Sequence, residues 1–201
     1  MADIDTTRVF RADLLEADRA MLLIIDLQEK LLPLIRARKK IVAAASKLID
    51  GVTIFGVPVL ATEQYPKGIG TTDADVRRAL DGCSAKTVEK NAFSAWGEAA
   101  VRDAMLAIDR PQVIVAGIET HVCVQQAALD LKSRDYDVFV CADAVGSRGK
   151  LDHKVGLDRM RQAGVVVSTV ESVLFELCGR CDTPRFKSML EIIKQRSQDA
   201  D

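Results

Sequence analysis

Residues 112–131, QVIVAGIETHVCVQQAALDL, join an apolar run to an amphipathic stretch through a short polar turn. The run QVIVAGI (112–118) is continuous and β-branched, the pattern of a strand buried on both faces. Beyond the turn, Val124, Ala127, Ala128 and Leu131 return at helical spacing, so the chain passes from strand to helix within a few residues. A strand feeding directly into a helix is the unit of a parallel sheet covered by helices.

The same unit recurs along the chain. AMLLIID (20–26) reads as the first strand, followed by a helix carrying Ile41, Ala45, Leu48, Ile49 and Val52 on one face and stopped by Gly56. VPVLAT (57–62) reads as the second strand, and TTDADVRRAL (71–80) as a capped helix with acids early and arginines late. KTVEK (86–90) is a short third strand, and a helix from Gly97 to Asp109 buries Val101, Ala104, Met105 and Ile108. YDVFVCAD (136–143) and GVVVSTV (164–170) are two more strands around a helix from Asp152 to Ala163, and a last helix spans Pro184 to Gln198. This alternation predicts one α/β domain over 1–201, with its core at about 18–180 and a C-terminal helix at about 184–198. Its sheet would have six mainly parallel strands in the order 3-2-1-4-5-6, sandwiched between helical layers.

Composition narrows the function. Of 201 residues, 48% are hydrophobic, enough for a core without disulfides or metals. The net charge is −1, with basic residues scattered, which gives no footprint for nucleic acid or a membrane surface. No apolar run approaches a transmembrane helix, and MADIDTTRVFRADLL is too polar and acidic for a secretion signal. Five cysteines without framework spacing point to a reducing cytoplasm. CGRC at 178–181 has redox spacing but follows a helical stretch late in the chain. His121 and His153 lack partners at ligand spacing, so neither a metal nor a cofactor is expected.

Ligands of open parallel sheets bind beyond the carboxyl ends of the strands, where strand order reverses. Asp26 closes the first strand, Lys90 the third, and Cys123 opens the helix after the fourth. In the expected order, Asp26 and Cys123 face each other across the switch point, whereas Lys90 must reach inward from an outer strand. Thr120 is placed to cap the helix, leaving Cys123 among unpaired N–H groups that favour a thiolate and can hold an oxyanion.

These residues lie within LLIIDLQEKLLP, VPVLATEQYPKGIG, VEKNAFSAW and VIVAGIETHVCVQQAALDL, spanning roughly 20–170. In order and separation the four stretches resemble the isochorismatase-like cysteine hydrolase superfamily, in particular its isochorismatase domain-containing proteins. The resemblance implies an Asp26–Lys90–Cys123 triad and a cis peptide between Ile118 and Glu119. It also implies an oxyanion hole from the backbone N–H groups of Glu119 and Cys123. By position, Gln28, Tyr65, Phe93, Trp96, Ile118, His121 and Val122 are candidate pocket walls. Assembly into a homo-oligomer is implied as well.

Two departures refine the expectation. Nicotinamidases of this superfamily carry an Asp-x-His metal motif where this chain has TEQYPKG, and vinyl-ether-cleaving isochorismatases lack the cysteine that stands here at 123. The expected activity is therefore metal-independent hydrolysis of a small amide, imide or carbamoyl C–N bond through an acyl-enzyme. Vinyl-ether hydrolysis and a non-catalytic interaction module are the alternatives.

Overall fold

A computed structural model of the chain describes residues 14–195. Its first strand, β1 (Ala20–Ile25), is buried along its whole length, as a continuous apolar run requires. β1 pairs in parallel with β2 (Val59–Gln64) on one side and with β4 (Gln112–Ile118) on the other. β3 (Lys86–Lys90) lies outside β2, and β5 (Asp137–Gly146) and β6 (Val166–Ser168) lie outside β4. The order is β3-β2-β1-β4-β5-β6 with every pairing parallel, the expected order. The sequence therefore reverses direction across the sheet between β1 and β4.

Side chains alternate between two cores because strand residues point to opposite faces in turn. Leu22, Ile24, Ile114 and Phe139 face α1 (Arg38–Ile54), which carries Ile41, Leu48 and Ile49. The same layer holds α3 (Ala74–Gly82), α7 (Val170–Cys178) and α8 (Pro184–Gln195), through Leu80, Leu174 and Met189. Met21, Leu23, Ile25, Val113 and Val115 face the other layer, formed by α4 (Ala99–Ile108), α5 (Gln125–Lys132) and α6 (Lys150–Gln162). Each fully buried Leu, Ile or Val contributes about 1.5–3 kcal/mol, so these two cores hold the layers together.

Some boundaries differ from the expectation. β2 starts at Val59 rather than 57 and runs on to Gln64, because Pro58 has no N–H to place in a ladder. β5 continues to Gly146, while β6 is cut to three residues because Thr169 caps α7 by accepting from Ser172 N at 3.4 Å. A four-residue helix, α2 (Pro66–Ile69), follows β2 unannounced. Residues 196–198 of the expected last helix lie outside the described residues. Cys178 ends α7 and Cys181 is exposed, both as free thiols, so CGRC occupies a helix C-terminus.

Candidate active site

Asp26 leaves β1 with a left-handed backbone (φ 53°) and has no solvent exposure. Thr62 on β2 holds it in place: Asp26 N donates to Thr62 O at 3.2 Å, and Thr62 Oγ1 donates to Asp26 Oδ1 at 2.7 Å. Lys90 stands two strands away, on the order of 10 Å at the usual strand spacing. Its four-carbon stem and the aspartate bridge that gap, so Nζ lies 2.7 Å from Asp26 Oδ2 with both side chains fully buried. Lys90 Nζ also donates to Gln64 Oε1 at 2.6 Å and to the carbonyls of Ala92 at 3.1 Å and Phe93 at 3.3 Å. These contacts compensate the cation for lost water. Asp26 Oδ2 accepts no hydrogen bond of good geometry and meets the Lys90 ammonium as a close ion pair.

Cys123 reaches this pair from the far side of the switch point. β4 ends irregularly: its register against β5 shifts between Val115 and Gly117, and the Ile118–Glu119 peptide is cis. A wide π-type turn over Thr120–Val124 then leads into α5, with Val122 N and Val124 N both bonded to Glu119 O. The Cys123 thiol is buried, and Asp26 and Lys90 are the charged groups acting on it. Burial first, and then the Asp26 charge, push its pKa up to about 12, against the weaker opposing pull of Lys90. The expected thiolate is therefore reversed: the thiol rests protonated. The expected cap is also absent, since Thr120 Oγ1 shares a hydrogen bond with His153 Nδ1 at 2.9 Å, on α6.

The expected pocket walls occupy different settings. Gln28 is fully buried and committed to backbone: Nε2 donates to Gln64 O at 3.0 Å and Gly70 O at 2.6 Å, and Oε1 accepts from Gln64 N at 2.8 Å. It stitches the loops after β1 and β2. Ile118 sits in the α1-side core. Trp96 packs edge-on to Tyr136 with Arg134 over its ring, beyond the C-terminal end of α5, and against the α5-side core. Tyr65 and Phe93 remain at the surface near Lys90, since Tyr65 N bonds Lys90 O. Half-buried His121 shares a hydrogen bond with Ser147 Oγ at 3.0 Å, and half-buried Val122 packs against the α5-side core. The Glu119 carboxylate accepts from Arg148 N at 3.0 Å and Nε at 3.1 Å, which ties the turn to the loop after β5.

Sequence reasoning missed Thr62 and Gln64, the neutral groups that orient the ion pair. Their place at the carboxyl end of β2, between the strands carrying Asp26 and Lys90, was the available signal. Among the described residues no group of three His, Cys, Asp or Glu side chains could hold a metal, and no helix is long and apolar enough to cross a membrane. A cleft of about 480 Å³ between α1 and α3 is lined by none of the three residues.

The isochorismatase domain matches residues 20–172. Isochorismatase domain-containing protein 1 of Salmo salar is 39% identical over 177 residues, covering 87% of this chain and 61% of the relative. The chain thus spans about three fifths of that relative's length. A solved structure described as MAR1 ribonuclease from Caenorhabditis elegans superposes with a TM-score of 0.84 at 34% identity, covering 90% of this chain and 93% of that one. The YcaC product of Escherichia coli, described as an octameric hydrolase of unknown specificity, superposes at 0.82 with 26% identity, covering 92% and 95%. Sheet order, domain match and relatives agree: the chain belongs to the isochorismatase family.

Proposed function

We propose that the chain is a metal-independent cysteine hydrolase of small amides, imides or carbamoyl compounds. The observation that carries this is a thiol, a carboxylate and an ammonium brought together in one buried site from three separate elements. Because the thiol rests protonated, attack and proton transfer are coupled. Asp26 takes the Cys123 proton as sulfur adds to the carbonyl carbon, and the oxygen becomes an oxyanion facing the N–H groups of Glu119 and Cys123. On collapse, Asp26 gives the proton to the departing nitrogen, leaving a thioester. Water then attacks with Asp26 again as base, and the thiolate leaves and regains its proton. Lys90, 2.7 Å from Asp26 Oδ2, balances the negative charge of the site through these steps.

Five free thiols support a cytoplasmic setting, and the octameric neighbour supports assembly with copies of itself. The test is a panel of small amides, imides and ureides, assayed after dialysis against a chelator, with intact-mass detection of an adduct after acid quench. A substrate should leave a transient acyl group on Cys123, and Cys123→Ala should abolish the adduct and lower turnover by several orders of magnitude. Full turnover in Cys123→Ala would overturn the reading and leave direct water attack with Asp26 as base, as in vinyl-ether cleavage. RNA belongs in the panel because a neighbour is named a ribonuclease; 28 basic against 29 acidic residues argue against it here.

A further inference from the structure

We propose that Cys178 and Cys181 are a reversible redox-modification site, closed to an intramolecular disulfide by low-molecular-weight disulfides of the glutathione type. The sequence Cys178-Gly179-Arg180-Cys181 sets the spacing, and the fold turns the chain back between the two thiols. α7 ends at Cys178, and Gly179 takes a left-handed backbone (φ 62°) with its N–H on Phe175 O at 3.0 Å. Arg180 N then donates to Cys178 O at 2.7 Å, which closes a three-residue turn.

The position of one sulfur is an independent observation. Cys178 Sγ donates to Arg180 O at 3.2 Å. That carbonyl belongs to the peptide joined to Cys181 N, so standard bond lengths put the sulfur within about 6 Å of Cys181 Cα. A disulfide joins residues whose Cα atoms are about 4.4–6.8 Å apart and whose side chains point together. Cys178 already points along the turn towards its partner, and exposed Cys181 has room to complete the approach. Arg180 Nε and Nη2 donate to the Asp182 carboxylate at 2.8 and 2.5 Å, a two-point pair that spans Cys181 and holds its backbone in this turn. The other thiols are placed differently: Cys123 belongs to the triad, Cys141 is fully buried, and Cys83 donates to Leu80 O at the end of α3.

Two exchange steps close the bond. Cys181, as thiolate, attacks one sulfur of oxidised glutathione, whose S–S bond breaks to release a glutathione thiolate and leave a mixed disulfide on Cys181. Cys178, as thiolate, then attacks Cys181 Sγ and expels the second glutathione thiolate. Two protein thiols become one disulfide, one glutathione disulfide becomes two thiols, and the departing thiolates take up the two protons the cysteines lost. In a reducing compartment such bonds are transient, so the dithiol is the resting form and the link forms under oxidation. It ties the last residue of α7 to the approach to α8, where Thr183 caps the helix by accepting from Phe186 N and Phe186 packs edge-on to Phe175.

The test equilibrates the full chain in glutathione buffers of graded oxidised-to-reduced ratio, quenches with acid, blocks remaining thiols with N-ethylmaleimide and digests without reductant. Trypsin cuts after Arg180, between the two cysteines, so a disulfide keeps the peptide ending at Arg180 joined to the one beginning at Cys181. The joined species is expected, about 2 Da lighter than the two reduced peptides together, rising in a single two-electron transition and separated by dithiothreitol. Cys178→Ser should stop at a stable glutathione adduct on Cys181, and Cys181→Ser, at an exposed position, should leave Cys178 a free thiol. A glutathione adduct on Cys181 that persists in the parent at every ratio would overturn the site. So would dimers linked through Cys181, a bond from either cysteine to Cys83 or Cys123, or two thiols still free in oxidised glutathione alone.

Discussion

At the scale of single residues, the decisive quantity is the protonation of Cys123. Its thiol is raised to about 12 chiefly by burial, so the thiolate fraction grows about tenfold per pH unit through the neutral range. Iodoacetamide at neutral pH should therefore label exposed Cys181 first. Cys123 labelling should climb with pH up to at least pH 10 without a plateau, as peptide mapping across pH 7–10 would reveal. The Asp26 charge raises this pKa and Lys90 lowers it. Asp26→Asn should accordingly alkylate faster at a given pH while losing turnover, and Lys90→Met should alkylate more slowly. The buried ion pair makes a second prediction possible. Removing one partner leaves an uncompensated charge, so Asp26→Ala or Lys90→Met alone should cost about 3–5 kcal/mol in urea unfolding. The double variant Asp26→Leu/Lys90→Met should recover most of that loss while remaining inactive, because two apolar groups need no compensation. A double variant as unstable as the singles would show that the pair is held for stability rather than chemistry.

At the scale of elements, the end of β4 decides whether Cys123 reaches the ion pair. Gly117 has φ 132°, and a Cβ there would run into the Ile25 carbonyl oxygen and backbone of the neighbouring strand. The strand can shift register and swing into the turn only because no side chain is present. Gly117→Ala should cost about 1–3 kcal/mol from its backbone alone, with the clash against Ile25 adding to it. Urea unfolding would measure the loss, and a variant as stable as the parent would refute the close approach. α6 supports the same turn from outside: a Cβ at Gly156 would meet the His121 backbone at 3.2 Å, and Thr120 meets His153.

At the scale of the whole molecule, several large apolar side chains remain at the surface. Leu151 and Val155, one turn apart on α6, are 71% and 54% exposed, and Tyr65 and Phe93 beside the site are more than half exposed. Exposed apolar groups in sets mark association surfaces, in keeping with the assembly proposed above. Light scattering after size exclusion should therefore give a mass above the 21.9 kDa of one chain. Leu151→Glu/Val155→Lys should lower that mass while changing the unfolding free energy of the single chain by no more than about 0.5 kcal/mol, the usual limit for surface changes. A monomer at micromolar concentration would contradict both expectations.

The parallel sheet with helices on both faces and the places of Asp26, Lys90 and Cys123 near strand ends were legible in the sequence, whereas which helix covers which face was not. Apolar periodicity reports burial directly, and a chain alternating strand and helix has few ways to close. The family resemblance pointed to the same three residues. What the tertiary structure alone decided concerns groups brought together from distant parts of the chain. Thr62 and Gln64 become partners of the ion pair only once β2 lies between β1 and β3. Gln28 turns into a backbone brace, and Trp96 swings to Tyr136 and Arg134, because side-chain direction follows loop paths that periodicity does not encode. The protonation of Cys123 inverted for the same reason. Sequence position places the thiol near a helix start, which lowers a pKa, but desolvation depends on how much protein folds over it, and here desolvation outweighs the nearby cation.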